Sequence, residues 1–156
     1  MKINKKLLII CLAIPLAVGG LSALLTRGSM KEFGELNQPP LSPPAWLFPI
    51  VWTILFGVMG YSLYLVLTSH SGSDTIGRAV TLFGIQLFFN FFWSIFFFNF
   101  KLYFFSFGWL LVLWAMIFFM ILSFYKASKT AALINIPYLA WVAFAGYLNL
   151  GIAILN

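Results

Sequence analysis

The chain has 156 residues, of which 63% are hydrophobic and 8% charged, against about 45–50% and about 25% in ordinary soluble domains. No soluble core of this size hides so much apolar surface, so the sequence reads as an all-α membrane protein made of one integral membrane domain. The net charge of +6 sits at segment ends, with no basic patch interleaved with aromatics, which excludes nucleic acid as a partner.

One Cys (Cys11) and one His (His70) leave no disulfide framework and no cluster of metal ligands, so no cofactor is required. The three acidic residues, Glu32, Glu35 and Asp74, all fall in predicted loops. Paired carboxylates, a nucleophile–base pair and a phosphate loop are therefore missing, and conventional acid–base catalysis has nothing to work with.

Taken in chain order, charged residues separate five uncharged stretches, each long enough for the about 20 residues that cross a bilayer. The first predicted helix covers residues 7–26. A cleaved leader is the competing reading of this segment, but no clear small-x-small site precedes Arg27. Residues 27–43 form a Pro-rich loop, because Pro39, Pro40, Pro43 and Pro44 cannot lie inside a helix. The second helix is expected to start at Pro44, where proline suits a first turn, and to run to residue 68. A polar loop with His70, Gly72 and Asp74 leads to a third helix at 78–99. Tight connections then give helices at 102–125 and 130–155. A β-barrel is excluded, since Phe88–Phe98 is apolar on every side apart from Asn90 and Ser94. The expected architecture is a five-transmembrane-helix bundle.

Five spans put the two ends on opposite sides. Lys2, Lys5, Lys6, Arg78, Lys126 and Lys129 gather on the amino-terminal side, whereas Arg27, Lys31 and Lys101 lie on the other. The positive-inside rule places the N-terminus in the cytoplasm and the C-terminus and Pro-rich loop outside. A composition rich in Lys, Ile and Phe points to a bacterial plasma membrane.

Polar side chains are retained within a membrane mainly where they face the bundle or a cavity. Gln86, Asn90, Trp93 and Phe97 share one face of the third helix, and Tyr138, Trp141, Ala145 and Asn149 share one face of the fifth. Trp52, Asn90, Trp93, Ala145 and Asn149 come to about 9–15 Å below the outer ends of their spans, and Trp141 to about 21 Å. A cavity with tryptophan walls, one or two amides, room left by Ala145 and a lid is expected there. Plainer roles compete for the same residues. Trp46, Tyr103, Trp109 and Tyr125 suit interfacial anchors, and Asn90 and Asn149 suit interhelical hydrogen bonding.

The segments Leu36-Asn-Gln-Pro-Pro-Leu-Ser-Pro-Pro-Ala-Trp-Leu-Phe-Pro-Ile-Val-Trp52, Asn90-Phe-Phe-Trp93 with Phe96-Phe97-Phe98, and Pro137-Tyr-Leu-Ala-Trp-Val-Ala-Phe-Ala145 with Leu148-Asn149 resemble the translocator protein family (TspO/MBR, tryptophan-rich sensory proteins). The resemblance implies a five-helix bundle, often a homodimer, with a pocket under the first loop for porphyrins and for isoquinoline or benzodiazepine-type ligands. Trp52 and Trp141 match its pocket tryptophans, and Asn90, Trp93, Ala145 and Leu148 fall on its pocket positions; with Phe56 they make up the candidate ligand-binding set. Two departures stand out. Pro40-Leu41 replace aromatic positions of the family's loop, and no basic residue follows Tyr147, so sterol transport is not expected. The implied function is a receptor or sensor in contact with membrane lipid, with protoporphyrin IX as ligand. Light-dependent porphyrin breakdown assisted by Trp52 and Trp141, or transport of porphyrin-like molecules, are the alternatives.

Overall fold

A computed structural model describes residues 3–156, all helical apart from turns and loops. Helix α1 (Lys5–Thr26) is capped by Asn4, whose Oδ1 accepts from the Leu7 N–H at 3.1 Å. It carries Pro15 inside the span. Proline has no N–H, so the carbonyl four residues back, that of Cys11, has no intrahelical partner. Helix α2 (Met30–Phe33) is a single turn within the Pro-rich loop.

Helix α3 (Leu47–Leu67) begins three residues later than the expected start at Pro44. The Pro44 carbonyl instead accepts from the Leu47 N–H at 3.0 Å, which closes a turn ahead of the helix. Pro49 then falls in the first helical turn, where no intrahelical N–H is needed. Helix α4 (Ser73–Ser94) starts five residues before the expected 78. Gly72 is extended at its N-cap and Asp74 sits in the first turn, where a negative charge favours the helix dipole. That N-terminal signal starts the helix inside the segment expected as a polar loop.

At its C-terminal end α4 widens into a π-helical turn, Ile95–Asn99, closed by the Phe100 N–H on the Ile95 carbonyl at 3.1 Å. Lys101 (φ 55°) then reverses the chain into α5 (Tyr103–Ala127). The last span, expected as one helix over 130–155, is two: α6 (Lys129–Leu133) and α7 (Ile136–Leu155). Pro137, in the first turn of α7, has no N–H for the carbonyl of Leu133, so the helix restarts. Buried Asn135 fills the joint, its Nδ2 donating to the Ala131 carbonyl at 2.8 Å.

Five helical segments are long and apolar enough to cross a membrane: α1, α3, α4 with its π turn, α5, and α6 with α7. Around the bundle α1 packs on α3, α4 on α5, and α5 on α7, while α1 also reaches α4 and the π turn. Helix α3 meets the last span chiefly through α6. The N-terminal half of α3 and the C-terminal half of α7 are thus left to line a space between them.

Candidate ligand site

That space is a cavity of about 380 Å³, lined by α1, α3, α4 and α7 and bordered at one end by the Pro-rich loop. Its size falls within the range of small-molecule sites. From α1 come Gly19, Ser22, Ala23 and Thr26, and from α3 Phe48, Pro49, Trp52 and Phe56. The Phe56 ring lies where a side chain on Gly19 would be, so only glycine permits this packing of α1 against α3.

Helix α4 contributes Asn90, Trp93 and Ser94, and the π turn adds Phe97 and Phe98. A regular helix would swing residue 98 about 100° away from residue 97. The wider turn brings both rings to the wall. Trp52 stacks on Phe56 (5.6 Å, 30°) and lies 6.4 Å from Trp93, which stacks on Phe97 (5.5 Å, 24°). Such pairs contribute about 0.5–1.5 kcal/mol each beyond burial, so the aromatic wall is held before any ligand arrives. Ala145, Leu148, Asn149 and Ile152 complete it from α7.

Two buried hydrogen-bond systems tie the wall to the bundle. The Trp93 indole N–H donates to Asn149 Oδ1 at 3.0 Å, and Asn149 Nδ2 donates to the Tyr103 carbonyl at 2.8 Å. Asn90 Nδ2 donates to Tyr138 Oη at 2.7 Å, and Tyr138 Oη donates to Gln86 Oε1 at 2.7 Å. Trp52 stands edge-on over the Tyr138 ring at 6.3 Å.

The lid is fastened on two sides. On one, Ser29 Oγ donates to Asn99 Oδ1 at 2.9 Å, Asn99 Nδ2 donates to the Leu25 carbonyl at 3.1 Å, and Glu32 pairs with Lys101. That hydrogen bond and charge raise the Lys101 ammonium above the ordinary lysine range. Phe33 inserts edge-on between Phe97 and Phe98, at 5.8 and 5.4 Å. On the other side the strap lies on the C-terminal end of α7. Pro39 fills the notch that Gly151 leaves, Tyr147 Oη donates to the Pro40 carbonyl at 2.7 Å, and Asn156 exchanges hydrogen bonds with the Asn37 backbone at 3.0 Å each way.

Of the candidate ligand-binding set, Trp52, Phe56, Asn90, Trp93, Ala145 and Leu148 line this one cavity. Trp141 does not. It stands behind Phe48, with ring centroids 5.9 Å apart, and its indole N–H is buried without a partner among the described residues. Of the basic residues at the Pro-rich-loop end of the bundle, Arg27 lines the cavity, while Lys101 is held by Glu32. Tyr103 and Trp109 pack inward rather than serving only as anchors: Tyr103 meets Phe97 at 5.2 Å, and the Trp109 N–H donates to the Phe89 carbonyl at 2.8 Å. The α1 wall was missed from the sequence. Its signal is the row of small residues Gly19, Ser22, Ala23 and Thr26, which recurs at helical spacing.

Fold and site together define an integral membrane protein of five spans with an aromatic cavity beneath a strapped loop. The chain belongs to the TspO/MBR family, which it matches over residues 11–155. It is 39% identical to the tryptophan-rich protein TspO of Chlorobaculum tepidum, over 98% of this chain and 99% of that one. It is 33% identical to the translocator protein of Bos taurus, over 87% and 82% of the two chains. The tryptophan-rich sensory protein of Cereibacter sphaeroides is 31% identical, over 75% and 72%.

Proposed function

We propose that the protein is a membrane receptor or sensor that binds porphyrin-like and isoquinoline or benzodiazepine-type ligands in this cavity. The observation that carries the reading is a preformed aromatic wall, Trp52–Phe56 and Trp93–Phe97, enclosed under the lid. Flat apolar ligands gain from stacking and burial there. Arg27 at the mouth offers a charge for a propionate, a hydrated contact of modest strength. Titration of purified protein with protoporphyrin IX in the dark, read by tryptophan fluorescence and porphyrin absorbance, tests this. Saturable quenching is the expected result, and spectra no different from porphyrin in empty detergent micelles would defeat the reading.

The position of Trp52 favours a second reading, light-driven oxidation of the bound porphyrin by dioxygen, assisted by an indole on the wall. Trp52→Phe keeps an aromatic surface and should weaken dark binding by only about 1 kcal/mol, roughly fivefold. Trp141→Phe, one ring removed from the cavity, should change it less. Under the second reading, illumination consumes porphyrin with wild type and far more slowly with Trp52→Phe. Equal loss with both proteins and with free porphyrin excludes it.

The same proposal includes a bacterial plasma membrane, a homodimer, and an orientation with residues 27–46 outside, set by the basic residues at the inner ends of the spans. Fusion of alkaline phosphatase after residue 156 should be active and fusion of a fluorescent protein there dark. The opposite pattern would reverse the orientation.

A further inference from the structure

The residues that line the cavity and are also exposed all belong to one seam. They are Ala23 and Arg27, at and just past the C-terminal end of α1, and Ala45 and Pro49, just before and at the start of α3. Every lining residue from α4, its π turn and α7 is buried or half-buried. The cavity therefore meets its surroundings between α1 and α3.

The contacts along that seam fit an opening at this end. Further down, α1 and α3 are in close contact: a Cβ on Gly60 would lie 2.6 Å from backbone atoms of Cys11 and Leu12, and Gly19 makes room for the Phe56 ring. Beyond Gly19 the facing side chains are short, single methyl groups on Ala23 and Ala45 and the compact ring of Pro49. Among the described residues no hydrogen bond or ion pair joins this end of α1 to α3. The strap, by contrast, is tied to α4 through Ser29–Asn99 and Glu32–Lys101 and to α7 through Asn37–Asn156. A path beneath either edge of the strap has to break those ties, and the seam has none.

Ala23 and Pro49 lie inside two membrane-spanning helices, about 3–5 Å from their ends. The opening is thus level with the acyl chains, and Arg27, one residue past α1, is level with the lipid headgroups. A flat apolar molecule leaves water for the bilayer before it meets the protein, and its carboxylates stay at the headgroup level. We infer that ligands enter the cavity sideways from the bilayer, between α1 and α3, and not from water beneath the strap. Arg27 meets the carboxylate of the incoming amphiphile while its apolar body passes Ala23, Ala45 and Pro49. The inference rests on the cavity being the ligand site.

The test follows protoporphyrin IX binding in the dark to protein in lipid vesicles, by stopped-flow tryptophan quenching, and its release by dilution into excess empty vesicles. Ala23→Trp narrows the opening and should slow both association and release by at least about tenfold. A side chain that only crowded the site would speed release. Ala45→Trp, on the opposite rim, serves where Ala23→Trp does not fold. The strap is pinned by a short bismaleimide between Asn37→Cys and Asn156→Cys, or between Glu32→Cys and Lys101→Cys. These four positions are exposed and outside the cavity lining, and Cys11 is buried. Either pinned protein should bind at a rate within about twofold of its uncross-linked form. Slower association on pinning the strap, or a rim variant with wild-type rates or faster release, would overturn this inference and leave the ligand site standing. Wild-type protein without saturable quenching would remove the ligand-site reading and this inference with it.

Discussion

Ala145→Phe is expected to abolish binding of protoporphyrin IX and isoquinoline-type ligands while the bundle stays folded. Ala145 is 7% exposed and lines the cavity on α7, between Trp141 one turn before it and Asn149 one turn after. The added ring has somewhere to go, because it faces empty space rather than packed side chains. Overpacking of a filled core costs about 1–3 kcal/mol, and much of that is avoided here. The ligand meets the opposite situation, since the ring occupies its place within a site of about 380 Å³. A loss of at least about a hundredfold in affinity, about 2.7 kcal/mol, is expected from fluorescence titration, with an unchanged gel-filtration profile in detergent. Ala143→Phe is the control: Ala143 is exposed on the outside of the same helix, and its substitution should leave both measurements alone. Unchanged ligand affinity in Ala145→Phe would show that ligands bind elsewhere.

Much of this architecture is legible in the sequence, for a physical reason. Hydrocarbon imposes a length and a near-absence of charge on every span, so five helices can be counted from Leu7 to Asn156 without knowing how they pack. The same constraint makes Asn90 and Asn149 conspicuous, and both prove to be buried at the cavity. What escapes is set by irregular backbone and distant contacts. The facing of Gln86, Asn90 and Trp93 follows from regular helical phase, whereas Phe97 and Phe98, which both line the cavity, lie in the π turn, where that phase no longer holds. Trp141 shares a face with Ala145 by the same arithmetic. It packs against Phe48 of α3, which lines the cavity in its place, a contact between helices that the phase of one helix does not show. Nothing in the Pro-rich loop itself marks Phe33, since its partners Phe48, Phe97 and Phe98 lie far along the chain. The strap is likewise invisible locally, because Asn37 and Asn156, or Pro39 and Gly151, meet only once the bundle has closed.

The largest loss of stability is expected from one methyl group at Gly60. Pro15 leaves the Cys11 carbonyl without its intrahelical donor, and α3 passes that point with Gly60 against it. A Cβ on Gly60 would lie 2.6 Å from both the Cys11 carbonyl oxygen and the Leu12 Cα. Those atoms are backbone and cannot swing aside as a side-chain tip could. Either α1 moves away from α3, or the substitution is not accommodated. Separation would also lift Gly19 from the Phe56 ring and so open one wall of the cavity. Gly60→Ala should therefore destabilise by about 3 kcal/mol, the upper part of the range for overpacking, and weaken ligand binding with it. Gly57→Ala, one turn earlier on α3, meets nothing within 4 Å. It should melt at the wild-type temperature or slightly above, as the gain from replacing a helical glycine is about 0.5–1 kcal/mol. Circular-dichroism melting of the three proteins in one detergent makes the comparison. Coincident curves for Gly60→Ala and wild type would mean that α1 and α3 do not approach as closely as the contact of Gly60 with the Cys11–Leu12 backbone requires.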